Sequence, residues 1–330
     1  MTDLKLAQSF SLMALNAQSS LHMTTVKKVA LRSMAAAVIL EVYLDGGFAQ
    51  TENKLVLKND VLDSSRPILY REAILKPLLR KNDQVEGELK WWLTRASKLS
   101  NKKLKKFEHA ISDSLMEEGL LEVIPSLLGS DMYFDSSGVE IKEYRSNIEA
   151  YTRTTENIRA EILEEGLVTD EIICMLWLLR ECGCMHDFFS RNELEKVNSR
   201  MNEFYQSSLL AKSLFPIQIR HGLELGIKQF LRMKKKFAMT YVGSSINFFF
   251  PMLERSQAVF IETESWFTNS TQRLNEVIKR LVSYGHEVTV LEKGSISTIK
   301  IDNVVYEAAP HFVMMRVPIQ GVRLVPRRPI

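Results

Sequence analysis

The 330-residue chain is 45% hydrophobic and 25% charged, which gives enough apolar content for a substantial core divided between two domains. A formal net charge of +3 excludes polyanion binding driven by bulk charge, so any affinity for anions must come from local clusters. Cys174, Cys182 and Cys184 are too few, and odd in number, for a disulfide framework. The opening MTDLKLAQSF lacks the basic-then-apolar order of a secretory signal, and together these features predict a cytoplasmic protein with reduced thiols.

Phe10, Leu12, Met13 and Leu15 predict a first short amphipathic helix. Residues 26–47, VKKVALRSMAAAVILEVYLDGG, predict a helix with apolar groups around most of its circumference, hence one enclosed by other helices. Its uncharged run, Ser33 to Leu40, falls far short of the roughly 20 residues that cross a bilayer. Gly46 and Gly47 supply a left-handed stop, and Lys54 to Leu57 reads as a short strand. Helices follow over Ile68–Arg80 and Glu88–Leu99, the second with Trp91 and Trp92, one to pack and one to lie near the surface. Leu104, Phe107, Ile111, Leu115 and Met116 have three-and-four spacing in a helix that starts at Asn101 and ends at Gly119. Leu120 to Ile124 and Met132 to Phe134 then flank a turn near Gly129-Ser130, giving the helix, strand, strand order of a winged helix.

Helices are further predicted over 145–165, 169–183, 191–209 and 219–234, the last ending in the basic run Arg232 to Lys236. Beyond it the period becomes alternating, which sets the domain boundary: a helical domain over 1–235 and a small α+β domain over 236–330. In the latter, Val259 to Ile261 is a strand and Ser270 to Tyr284 a helix. Strands follow at His286–Leu291, Ser297–Ile301, Val304–Ala308 and His311–Val317, with Asp302-Asn303 as a two-residue hairpin turn. The proline-containing tail from Pro318 reads as extended chain.

No phosphate loop, dinucleotide fingerprint or metalloprotease His-Glu pair is present. Gly243-Ser244-Ser245 lacks the second flanking glycine of a nucleophile elbow, Asn247 standing in its place. Cys182-Gly183-Cys184 with His186 does not have the spacing of a tetrahedral zinc site, and the six histidines are scattered singly. Glu262, Glu264, Asp302 and Glu307 lie on or beside strands, where two carboxylates could meet for acid/base work or simply form a solvated face. No catalytic residue, cofactor or metal ligand is assigned, and the chain is expected to be non-enzymatic.

Cations cluster more tellingly. Lys98, Lys102, Lys105 and His109 form a stripe at three-to-four spacing, with Lys103 and Lys106 beside it; Lys27, Lys28 and Arg32 form a second cluster. At an anionic membrane each surface cation contributes about 1 kcal/mol, so several together can hold a protein at a bilayer.

From about Leu6 to Met233 the chain resembles the Golgi phosphoprotein 3 family, including its bacterial members. The resemblance is carried by Phe10-Ser11-Leu12-Met13-Ala14-Leu15-Asn16, by AAAVILEVYLDGGF from Ala35 to Phe48, and by Ser114 to Leu121. Ile158 to Leu163 and Leu176 to Phe189 continue it. It implies a mainly α fold: a helical domain with a central four-helix core and a β-hairpin, here followed by the small α+β domain. It also implies a peripheral membrane or adaptor protein that binds an anionic phospholipid, in the family phosphatidylinositol 4-phosphate, with a protein client or homo-oligomer as further partner. The family hairpin falls at about Val123 to Phe134, with Leu127 and Leu128 near its tip as the membrane-contact pair. Family lipid-site positions fall at Val26, Ala35, Lys105 and Glu108; Val26 and Ala35 cannot donate to a phosphate, and Glu108 would repel one. Arg32, one turn before Ala35, could compensate, so the lipid-binding set is Arg32, Lys98, Lys102 and Lys105. Alternative readings are a winged-helix-like nucleic-acid or protein interaction module, or a ligand-binding or enzymatic C-terminal domain. Nucleic acid is disfavoured by Glu108, Asp113, Glu117 and Glu118 on the would-be recognition helix.

Overall fold

The structure, a computed structural model, describes residues 4–51, 54–62, 67–79, 85–130, 141–166, 168–219, 258–263, 269–313 and 319–327. Its first core is built around α2 (Thr25–Leu44), whose residues Ala30, Leu31 and Met34 to Leu40 are fully enclosed. Thr24 caps the helix by accepting from the Lys27 backbone N–H at 3.1 Å, and Gly46, at φ +69°, turns the chain away where a side chain would be strained. Around α2 pack α1 (Leu6–Leu15), α3 (Leu69–Leu75), α4 (Leu89–Ser97) and α5 (Asn101–Glu117). With them are α6 (Ile148–Leu163), α7 (Asp170–Cys182), α8 (Met185–Phe188), α9 (Arg191–Ser207) and α10 (Leu209–Leu214).

The one carboxylate inside α2, Glu41, is buried yet fully served. Arg71 Nε stands 2.6 Å from it, Tyr70 donates at 3.0 Å and the Ala7 backbone N–H at 2.8 Å. A buried ion survives only with partners of this kind. Trp92 is enclosed against Phe48, with ring centroids 5.1 Å apart, and donates to the Leu55 carbonyl at 3.2 Å, while Trp91 stays at the edge as expected.

Two sheets interrupt the helices. β1 (Phe48–Thr51), β2 (Lys54–Leu57) and β3 (Glu86–Gly87) form an antiparallel three-stranded sheet beside α4, and β4 (Leu121–Pro125) pairs antiparallel with β5 (Lys142–Ser146). A third sheet has five antiparallel strands in the order β6 (Val259–Glu262), β10 (Ile319–Pro326), β9 (Val304–Val313), β8 (Ser297–Ile301), β7 (Val288–Glu292). On it lies α11 (Ser270–Ser283), burying Leu274, Val277 and Leu281.

The expectation of a mainly α chain is therefore wrong. Among the described residues eleven helices are accompanied by sheets of three, two and five strands, so the fold is mixed α and β in both halves. The largest single error is the tail. Far from being a loose extended segment, residues 319–326 are a central strand hydrogen-bonded on both sides, with Val322 and Leu324 buried and Arg323 exposed. Gly321 is required there, since an added Cβ would stand 2.3 Å from the Ile261 carbonyl oxygen. The strands read separately at Val304–Ala308 and His311–Val317 are a single β9 as far as Val313. The predicted helix over 219–234 beyond Ile219, the 232–236 basic run, Ser244 and the Met132–Phe134 strand lie outside the described residues, as does the 235/236 boundary.

The C-terminal sheet is fastened to the first core by the hairpin at Asp302-Asn303. Asn303 Nδ2 donates to Asn16 Oδ1 at 3.1 Å and to the Ser146 carbonyl at 3.2 Å, and Arg145 Nη1 reaches Asp302 Oδ1 at 3.1 Å and the Gly285 carbonyl at 2.6 Å.

Candidate functional site

Helix α5 gives the sequence-predicted cation stripe its form. Leu104, Phe107, Ile111 and Leu115 are wholly buried against the first core. At 100° per residue, Lys102, Lys105, Lys106 and His109 then project from the opposite side, with Lys103 at its margin; all are exposed, as is Lys98 just before the helix. None of the five lysines forms an ion pair or hydrogen bond with a described residue. Their position also opposes the helix dipole. α5 has no acidic residue in its first turn and no side-chain cap from Ser100, while Asp113, Glu117 and Glu118 lie towards its C-terminal end. Cations beside the positive end of a helix cost about 0.3–1 kcal/mol each at low ionic strength. The charge gradient of α5 is thus the reverse of what helix stability would select, and its free N-terminal N–H groups add to a surface suited to anions.

The other sequence-predicted residues are not gathered there. Arg32 lies half-buried in the interior of α2, its Nε enclosed and without a hydrogen-bond partner among the described residues, so it is not an exposed headgroup donor. Val26 and Ala35 are both buried. Glu108 does not face outward to repel an anion. It is buried at 2.6 Å from Lys27 Nζ, which also donates to the Ser19 carbonyl at 2.5 Å. Tyr144 donates to Glu108 at 2.9 Å, and burial followed by the Glu108 charge pushes its phenol well above the ordinary tyrosine range. Lys27 therefore belongs to an internal ion pair between α2 and α5 and leaves the basic cluster in which the sequence grouped it.

Leu127 and Leu128 require a correction. They occupy a short 3-10 turn after β4, where Leu127 has no exposure and Leu128 is half-buried, both packed into the second core against the C-terminal sheet. Burying a leucine yields about 1.5–3 kcal/mol, so this pair serves the contact between the two halves and is not presented to a bilayer.

The cysteines are free and buried, and burial raises the thiols of Cys174 and Cys184 well above their ordinary value, leaving them protonated. They make no metal group with His186. Among the described residues one set does bring metal-donor atoms together: Glu143, His286 and Asp302, all within 4.8 Å of one another. Of the carboxylates Glu262, Asp302 and Glu307, only Asp302 is buried, and it meets Glu143 of β5 instead of a neighbour on its own sheet; Glu264 lies outside the described residues. No described helix is long and apolar enough to cross a membrane. No protein-family model matches the chain, and no curated protein matches it in sequence.

Proposed function

We propose that the protein is a non-enzymatic peripheral adaptor that docks from the cytoplasmic side on anionic phospholipid through the exposed face of α4 and α5, with Lys98, Lys102 and Lys105 as its principal contacts and Lys103 and Lys106 at its flanks. The observation that carries this reading is the row of five exposed lysines without partners among the described residues, set at and before the N-terminal end of α5 against its dipole. At about 1 kcal/mol per cation near an anionic surface, three to five of them suffice for reversible attachment. The resemblance to the Golgi phosphoprotein 3 family points the same way, and it makes a phosphoinositide headgroup the first lipid to try. Contact on this reading is electrostatic and lies flat on the bilayer, since Leu127 and Leu128 are engaged in the second core.

Flotation with liposomes of phosphatidylcholine alone, with phosphatidylserine, and with phosphatidylinositol 4-phosphate tests it. Binding should need an anionic lipid and weaken as salt rises, because exposed charges are screened beyond about 10 Å at 0.1 M salt. Equal absence from all three liposome types would remove the reading. Retention of random duplex DNA in place of liposomes would favour the interaction-module alternative, against which Asp113, Glu117 and Glu118 on the second half of α5 speak.

A further inference from the structure

We infer that Glu143, His286 and Asp302 form a binding site for a first-row divalent cation, with Zn2+ the expected occupant, which clamps the C-terminal sheet onto the helical half of the molecule. The three donors come from distant parts of the chain: β5, the turn after α11, and the β8–β9 hairpin. All three are buried, and their donor atoms lie within 4.8 Å of one another. Two ligands of one zinc, each about 2 Å from the ion, stand no more than roughly 4 Å apart, so small side-chain rotations close this group around a cation.

The independent sign of a missing ligand is His286. Its side chain has no exposure; Nδ1 lies 2.9 Å from Asp302 Oδ2, and Nε2 is enclosed with no hydrogen-bond partner among the described residues. A buried polar atom without a partner is a cost that a native fold ordinarily avoids. The ring nitrogen beside a carboxylate is Nδ1, and in the tautomer with the proton on Nε2 its lone pair faces Asp302 and is a ligand for a cation placed between them. The supporting shell is already in place. Ser126 Oγ donates to Glu143 Oε2 at 3.2 Å, while Arg145 Nη1 and the Glu287 backbone N–H each reach Asp302 Oδ1 at 3.1 Å. Such outer contacts hold carboxylate ligands in one orientation. Asp302 itself takes φ +53°, an unusual backbone state for a residue with a side chain, and the hairpin holds it pointing into this cluster.

Imidazole with two carboxylates and no thiolate suits Zn2+ over soft ions, and Zn2+ outcompetes Mn2+ and Fe2+ at a site of given donors. Burial of all three donors keeps an ion there away from bulk solvent, which suits a structural role. The inference is independent of lipid binding.

The test uses the full chain, stripped with a chelator and titrated with Zn2+ in a calorimeter without lipid. One saturable equivalent is expected, with a rise in Tm on metal addition. His286→Gln and, on the other half of the molecule, Glu143→Gln should each weaken binding by about 10–100-fold. Unchanged affinity in both variants would overturn the site by assigning the ion to surface histidines. Because either variant could fold poorly, the wild-type Co2+ form supplies a second reading. Intense visible bands of low-coordinate cobalt support the site; only the weak spectrum of the aqua ion, or no saturable Zn2+ binding, overturns it and leaves the cluster a hydrogen-bonded knot.

Discussion

Two lysines of neighbouring helices show opposite uses of the same side chain. Lys27 on α2 is buried at 2.6 Å from Glu108 and has a carbonyl and a tyrosine ring beside it, the ring centroid at 5.6 Å. Lys105 on α5, three residues before Glu108, is exposed and forms no ion pair with a described residue. A cation in the interior exists only because the fold supplies its counter-charge, so its residue type is determined by folding. A cation on the surface against the dipole has no such determinant, and its presence there asks for an explanation outside the folded monomer. In this molecule the matched charges are set by assembly, and the unmatched row on α5 is what the proposed docking on an anionic surface would use.

Breaking a matched pair should have the largest effect. Glu108→Ala leaves the Lys27 ammonium buried and uncompensated, and about 3–5 kcal/mol of stability should be lost, measured by urea unfolding. The double change Lys27→Met with Glu108→Leu should recover most of that loss, because replacing both charges with apolar groups removes the desolvation penalty along with the attraction. A double variant as unstable as the single one would show that the pair also fixes the α2–α5 packing.

The second expected effect lies at Gly321. Any side chain there meets the Ile261 carbonyl and the Phe260 ring, so Gly321→Ala should cost about 1–3 kcal/mol through displacement of β6 from β10. Amide exchange should rise in the C-terminal sheet first and leave α2 protected, if the two cores loosen separately.

The acid limb of stability gives a smaller, signed test. Desolvation raises the Asp45 pKa, but hydrogen bonds from Arg71 and Lys5 outweigh it, and the net shift is downward. A carboxyl with a lowered folded pKa contributes stability that is fully present above its unfolded value of about 4 and is lost as pH falls through the folded one. Asp45→Asn should therefore lower stability at neutral pH and flatten its decline below about pH 4 relative to wild type.

How much of this was legible beforehand follows the range of the interactions. α2, its glycine stop and the apolar stripe of α5 are local patterns, and the lysine face is simply the complement of that stripe; all of it can be read at three-and-four spacing. β2 is the strand read at Lys54 to Leu57, whereas β1 and β3, of four and two residues, are too short for alternation to register, and β10 was hidden by its flanking prolines although Val322 and Leu324 do alternate with Arg323 and Val325. Leu127 read as an exposed tip because its partners, β6 and the sheet behind it, lie more than a hundred residues downstream. The Glu143, His286 and Asp302 cluster has the same cause: His286 and Asp302 are 16 positions apart, Glu143 is on another sheet, and only the docked hairpin brings them together. Patterns within one element are visible in the chain, whereas a site assembled between two halves is not.

The smallest effect on folding is the sharpest on the comparison. Lys102→Glu with Lys105→Glu places acids in the first two turns of α5, where they complement the dipole, so stability should be unchanged or rise by up to about 1 kcal/mol. Lipid flotation by the same variant should fall, and fall most at low salt, since two attractive charges become repulsive. The two signs are opposed, which separates the explanations. If the lysines serve the fold, Tm drops along with binding; if they serve an anionic surface, binding is lost from a protein that is as stable as before or more so.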